Sequence, residues 1–319
     1  ARQWAHMVTF CGLLVAVASC SPGTPETCRE VAREPNLSPD YSGTVIPANI
    51  APLNFQILEE GRAYLLKIRS ESGSPITVSS RTGQMRIPRR PWRALLSANR
   101  GRDLHFDVHV QGADRQWKRF QPVVNTIAHE DIDGTVVFRF MKPIYNWWKD
   151  IGIYQRDLGS YDTSVVLHGR SFGEGCLNCH SFVRNEPDTM SISLRSATYG
   201  SHTLLARDGR VDKVGAKWGY TAWHPSGRLA VYSMNKVTQF FHAGGQEVRD
   251  VVDLDSALVC YRVESRQVTS PAELADKDRL ETYPAWSPDG KHLYYCSAPV
   301  LWQDRNTVPP ARYDEVKYD

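Results

Sequence analysis

One stretch of this chain occurs twice. Tyr220-Thr221-Ala222-Trp223-His224-Pro225-Ser226-Gly227-Arg228, followed by the apolar run Leu229 to Ser233, recurs as Tyr283-Pro284-Ala285-Trp286-Ser287-Pro288-Asp289-Gly290-Lys291 with Leu293 to Ser297. Each copy reads as a strand, a tight Pro-x-Gly turn and a second strand. Such a unit cannot bury its apolar face alone and must stack on a neighbour of the same kind. Between the copies, Val251–Leu254 and Ala257–Val263 supply further strands, and Glu264–Val268 reads as an outer hairpin. Trp223 and Trp286 stand 63 positions apart, longer than one blade-like unit needs, so a loop around Lys236 to Arg249, holding His242, is read as inserted. A ring of blades loses its edges only by closing. Two repeats cannot close one, so the chain is expected to be a fragment of a longer protein, or to borrow blades from a partner.

The second constraint is chemical. In Cys176-Leu177-Asn178-Cys179-His180 two cysteines three positions apart precede a histidine. That spacing fits covalent haem c, with Cys176 and Cys179 each adding across a vinyl group and His180 as proximal iron ligand. C-x-x-C by itself also serves redox dithiols and zinc sites, but no second C-x-x-C pair exists and a dithiol needs no histidine there. For the sixth ligand, Met190 stands first, ten residues past His180 and beyond the polar loop Arg184 to Asp188. His242, His202 and His224 compete with it. An open sixth position would instead allow ligand binding or peroxide chemistry. Upstream, Tyr145, Trp147, Trp148, Tyr154 and Tyr161 lie in a region expected to start helical after Pro143; they suit either an apolar haem wall or packing between domains.

Haem attachment of this kind presupposes export. Arg2 and His6 precede the short apolar run Met7 to Ala18, which reads as a signal segment too short for a membrane span. Its end, Val17-Ala18-Ser19-Cys20, resembles the lipobox of bacterial lipoproteins, implying lipid on Cys20; the Ser21 that follows implies the outer membrane under the rule for that class. Residues 21–48 read as a tether. Of the seven cysteines, Cys11 leaves with the signal, Cys28 lies in the tether, and Cys260 and Cys296 read as buried thiols. The net charge of +3 gives no reason to expect a nucleic-acid partner, and no phosphate-binding glycine loop is present.

Residues 49–142 read as short strands separated by turns. Leu104, Phe106, Val108 and Val110 alternate with His105, Asp107 and His109, predicting a strand with one core face and one wet face. The two histidines and aspartate can bind a metal, although a solvated strand face gives the same pattern. Further strands are expected at Leu53–Leu58, Ala63–Ile68, Ile76–Ser79, Trp117–Phe120 and Thr135–Phe140. A short helix is expected from Pro91 to before Gly101, with Trp92, Leu95 and Leu96 inward. The pattern predicts an Ig-like antiparallel sandwich. Arg86, Arg89, Arg90, Arg93, Arg100 and Arg102 crowd one stretch, as a solvated face or a docking patch for an acidic redox partner or lipid head groups.

Together the lipobox, the stretch Asp40 to Phe55, the C-L-N-C-H site and the two W-x-P-x-G repeats resemble a family of bacterial lipoproteins: TolB-like (PD40, or WD40-like) propeller proteins with one c-type haem motif, some of them labelled cytochrome c biosynthesis proteins. That family has a histidine where this chain has Ser193. The resemblance implies a mainly β chain comprising a signal (1–20), a tether (21–48), a sandwich (49–142), a haem-binding segment (143–205) and a partial propeller (206–319). It implies an exported protein, periplasmic or at the cell surface, with one haem c, a redox partner protein and a lipid anchor. The function expected is non-enzymatic relay of single electrons. The alternatives are a protein- or glycan-binding propeller with a structural or sensory haem, a haem peroxidase-like enzyme, and a role in cytochrome c maturation.

Overall fold

The computed structural model describes residues 25, 27–141, 150–241, 249–306, 310 and 312–319. The chain is mainly β, built of several sheets, and among the described residues none closes on itself. It divides into two units, residues 1–136 with 156–162, and residues 137–155 with 163–319.

The first unit is centred on strand Asp103–Gln111. Strand Ala63–Arg69 pairs along one side of it, and Val123–Ile127 and Trp117–Phe120 share the other. Leu104, Phe106 and Val108 are fully buried, as their alternation predicts. A second sheet joins Leu37–Ser38, Phe55–Ile57 and Gln84–Met85. Phe55 of this sheet stacks on Phe106 of the first, 5.8 Å between ring centroids. Helix Arg89–Ala98 lays Trp92, Leu95 and Leu96 into the same core, two residues earlier than Pro91 suggests. The expected strands are present with shifts of a residue or two at most ends.

Two expectations fail in this unit. The larger sheet is not wholly antiparallel: Arg29–Val31 runs parallel to Lys118–Phe120, and Val45–Ile46 parallel to Thr126–Ile127. Both short strands come from the segment read as a tether, so parts of that segment from Arg29 onward are built into the sheet. Nor is the second face of Asp103–Gln111 wet, since Asp107 and His109 are 4% and 3% exposed. Arg69 donates to Asp107 through Nε at 2.8 Å, and His109 stands opposite Leu65, itself 1% exposed, on the neighbouring strand. A salt bridge and an aliphatic neighbour replace water there, and Asp107 is committed to Arg69 rather than to a metal.

The second unit holds two four-stranded antiparallel meanders, a two-stranded sheet, and most of a fourth sheet, the three-stranded one of Thr135–Phe140, Gly152–Asp157 and Thr163–His168. The first meander runs Cys176–Phe182, Thr189–Ser196, Gly200–Arg207 and Arg210–Val214. The segment Cys176–His180 thus lies in its edge strand, and strand Gly200–Arg207 runs unbroken across the boundary expected between residues 205 and 206. The second meander is Gly219–Trp223, Leu229–Phe241, Arg249–Arg262 and Gln267–Thr269; the third sheet is Arg279–Trp286 with Leu293–Pro299. The loop expected from Lys236 is instead a paired extension of one hairpin, with Val237–Phe241 opposite Arg249–Asp253 beyond a bulge. Continued ladder pairing satisfies the backbone of Val237–Phe241 and Arg249–Asp253, which a free loop would leave to water; residues 242–248 lie outside the described residues.

The repeats are locally alike. Each Pro-x-Gly turn closes through a glycine amide, Gly227 to His224 and Gly290 to Ser287, at 2.8 and 2.9 Å. Both glycines have φ near +70°, which residues with a Cβ adopt at a cost. Both first strands also carry a register shift, at Tyr220 and Tyr283, each with positive φ. Trp218 anchors the core between the meanders, stacked on Tyr232 at 4.9 Å and tilted against Trp223 and Tyr261.

Candidate functional site

The motif strand Cys176–Phe182 pairs with Thr189–Ser196 in a ladder that slips by one residue between Leu177 and His180. An unbroken pleat sends residues an odd number of positions apart to opposite faces, which would part Cys176 from Cys179. The extra residue at the bulge breaks that alternation between them. Re-aiming a side chain in this way is a common use of bulges. His180 pairs with Ile192 and turns with Phe182 and Met190 to the face opposite that of Cys176. Its ring lies edge-on to Phe182 at 6.3 Å and is hydrogen-bonded to the backbone of Val137. Burial pushes its pKa below the usual imidazole range, and nearby Arg139 adds to that; the bond to Val137 opposes it.

Cys179 lines a cavity of about 1050 Å³ within the second unit, at the upper end of the range of roughly 300–1,000 Å³ for cofactor sites. Arg139, Arg195 and Lys217 share that lining. Cys176 is only 5% exposed and lies behind the wall, packed with Leu177, Ile192, Leu194 and Ile151. Burial raises its thiol pKa, opposed by Arg195, Lys217 and Arg139, while Cys179 raises it further. For haem c the donor types are present, two thiols and an imidazole, with Cys179 in the wall of a cofactor-sized cavity, but the register turns His180 to the face opposite that of Cys176, so the three donors do not face one haem as the strand stands.

Strand Leu229–Phe241 contributes Met234, Asn235 and Gln239 to its lining, and strand Arg249–Arg262 contributes Val251 and Asp255. Asn235 donates to Asp253 and to Thr282, both at 3.1 Å, and its Oδ1 is buried with no partner; so is Gln239 Oε1. Tyr220 also reaches the cavity and meets its repeat counterpart Tyr283, ring centroids 4.3 Å apart. Burial and the hydrogen bond to Tyr283 push the Tyr220 phenol far above its ordinary range.

Met190 packs against the apolar cluster around Cys176 and is the diagonal neighbour of His180 on one face of the hairpin. His224 is committed elsewhere, Nδ1 to Ser226 at 2.7 Å and Nε2 to the carbonyl of Gly290 at 3.0 Å, its ring edge-on to Trp286. His202 bonds through Nδ1 to the carbonyl of Gly215. His242 and Cys20 lie outside the described residues, as do Tyr145, Trp147 and Trp148. Tyr154 stacks on Phe138, and Tyr161 donates to the carbonyl of Pro52 in the first unit. Cys28, Cys260 and Cys296 are unpaired thiols, each of intermediate exposure rather than buried.

Of the clustered arginines, Arg100 pairs with Asp131 and Arg102 with Glu71, while Arg89 and Arg93 help hold the Asp157 carboxyl below its usual range, chiefly set by Ser160. Sequence reasoning missed Met234, Asn235, Gln239 and the three cations of the lining, for which no local signal exists. Among the described residues no three His, Cys, Asp or Glu side chains converge to hold a bare metal ion, and no helix is long and apolar enough to cross a membrane. No protein-family model and no curated protein matches the chain.

Proposed function

We propose that this protein is an exported c-type cytochrome that relays single electrons through one covalent haem. The observation that carries the reading is the spacing Cys176-x-x-Cys179-His180, with Cys179 in the wall of a cofactor-sized cavity. Cys176 and Cys179 would hold the ring, and His180 the iron. When bound, the haem supplies a one-electron iron couple, and no base or nucleophile is asked of the protein. Its part is to fix the imidazole through Val137, to exclude water with Ile151 and Met141, and to set a positive field with Arg139, Arg195 and Lys217. In this reading the meanders are blades of a TolB-like propeller, a rigid scaffold for docking a redox partner protein, and the first unit is an Ig-like sandwich tethered to the outer membrane through lipid on Cys20. Met190 and His242 stand as the sequence candidates for the sixth ligand.

A pyridine haemochrome spectrum on protein matured in a cytochrome c-competent host tests the reading. The covalent-haem signature is expected in the wild type and lost when both cysteines are changed to serine; a wild type without it ends the haem reading. A second reading, a binding module for a small polar ligand, is favoured by the two unpartnered amide oxygens in the cavity. Saturable ligand binding by haem-free protein would favour that one.

A further inference from the structure

We propose that the cavity beside Cys179 binds an acidic oligosaccharide, whose hydroxyls donate to the amide oxygens of Asn235 and Gln239 and whose carboxylate or sulfate groups face Arg139, Arg195 and Lys217. This rests on the binding-module reading and names its ligand class. Asn235 fixes the kind of group required. Its Nδ2 donates to Oδ1 of Asp253 and to Oγ1 of Thr282, both at 3.1 Å. The Asp253 carboxylate, to which Tyr318 also donates, only accepts, and the Thr282 hydroxyl donates onward to Oγ of Ser233 at 3.2 Å. The amide therefore cannot be turned over, and its Oδ1 is left buried without a partner. Gln239 Oε1, on the same strand, is buried without a partner too. A carbonyl that has given up water without gaining a donor is destabilising. A ligand hydroxyl removes that cost.

Charge selects the kind of donor. Four basic side chains line the cavity, Arg139, Arg195, Lys217 and Lys236, against one acid, Asp255, which pairs with Arg305. Lys236 is held by Asn306, which carries no charge. Arg139, Arg195 and Lys217 stand together, since all three act on the Cys176 thiol. A field of this sign draws anions and repels ammonium groups, so the donors must be neutral. Hydroxyls meet that requirement, and each also accepts from a lysine or arginine. Asn235 and Gln239 lie four positions apart on one strand, ~13 Å at the extended rise. A ligand that meets both carries hydroxyls along its length, unlike phosphate or acetate. Tyr220 adds to the lining: 42% exposed, it offers a flat apolar face with a polar tip to a sugar ring.

Isothermal titration of the full chain tests this with four probes of equal length: trigalacturonate, a sulfated galactotriose, neutral galactotriose and triglutamate. Saturable binding of at least one acidic saccharide is expected, weakening as salt rises to about 0.5 M and screens the charges; the tighter of the two names the anion. Gln239→Met removes the unpartnered acceptor at similar length. It is expected to weaken that saccharide about 2- to 10-fold while holding or raising Tm, whereas a merely structural glutamine would lower Tm and leave affinity alone. Lys217→Met should weaken both acidic saccharides and leave neutral galactotriose where it was. Neutral galactotriose bound as tightly as the acids overturns the anionic part, and triglutamate bound in preference to them overturns the saccharide; either outcome spares the polar-ligand reading. Unchanged affinity in both variants places binding elsewhere and overturns the inference. No saturable binding of any of the four probes overturns the inference and that reading together.

Discussion

Replacing Gly290 by alanine tests whether the two repeats are joined at their turns. The backbone at Gly290 has φ +72°, and a Cβ built there would lie 2.4 Å from Nε2 of His224. His224 is the residue that bridges the copies, through its 3.0 Å bond to the Gly290 carbonyl. An alanine in the left-handed region costs about 1–2 kcal/mol, and displacing the imidazole forfeits a bond with a net value of about 0.5–1.5 kcal/mol. The sum is about 2–3 kcal/mol. The first repeat supplies its own control. Gly227 has φ +69°, but the nearest atom to its Cβ would be Cγ1 of Val183 at 3.3 Å, so Gly227→Ala should carry the backbone cost and little else. The expected gap between the variants is about 1 kcal/mol, or roughly 2–4 °C in Tm for a unit of this size. Thermal unfolding followed by tryptophan fluorescence, which reports Trp218, Trp223 and Trp286 of the second unit, measures it. In a His224→Ala background the gap should close, since the cycle isolates the pairwise interaction. Equal losses at 227 and 290, or a gap that survives removal of His224, would refute the inter-repeat contact.

Two further outcomes are expected. His109 is buried with Nδ1 unpartnered, and burial, reinforced by Arg119 and opposed by Asp107 and Glu30, lowers its pKa. The unfolded imidazole takes up its proton near pH 6.5 while the folded one resists, so this stabilising term is complete above that pH and is lost as pH falls through the folded value. His109→Leu should flatten the fall in urea midpoint below pH 6.5 without lowering stability at pH 7; an unchanged slope counts against the assignment. Trp218→Ala removes a fully buried ring packed on Tyr232, Tyr261 and Trp223 and should cost about 3–5 kcal/mol in the second unit, read as a lower urea midpoint. A loss below about 1 kcal/mol would mean that ring cluster is not its core.

Local patterns were legible wherever physics acts over a few residues. The Pro-x-Gly turns, the alternation in Leu104 to Val110 and the inner face of the helix at Trp92, Leu95 and Leu96 all follow from backbone preference and period. The meander from Cys176 to Val214 was not legible as one sheet, because it lacks the W-x-P-x-G turn and its polar segments resemble loops. The bulge beside Cys179 left no trace either, since a single extra residue is defined only against the partner strand Thr189–Ser196. Asp107 and His109 were misjudged for the same reason: what covers a strand face comes from another strand.

The sequence alone therefore determined the chemistry on offer, two thiols and an imidazole at haem spacing, and the kind of unit that repeats. Tertiary structure decided which groups meet. It set Cys179 in the wall of a cavity and Cys176 in the apolar cluster, set Met190 beside His180, and brought Met234 to the cavity of Cys179 from 55 positions downstream. Side-chain direction in a sheet depends on register, and register is fixed by pairing between segments distant in sequence.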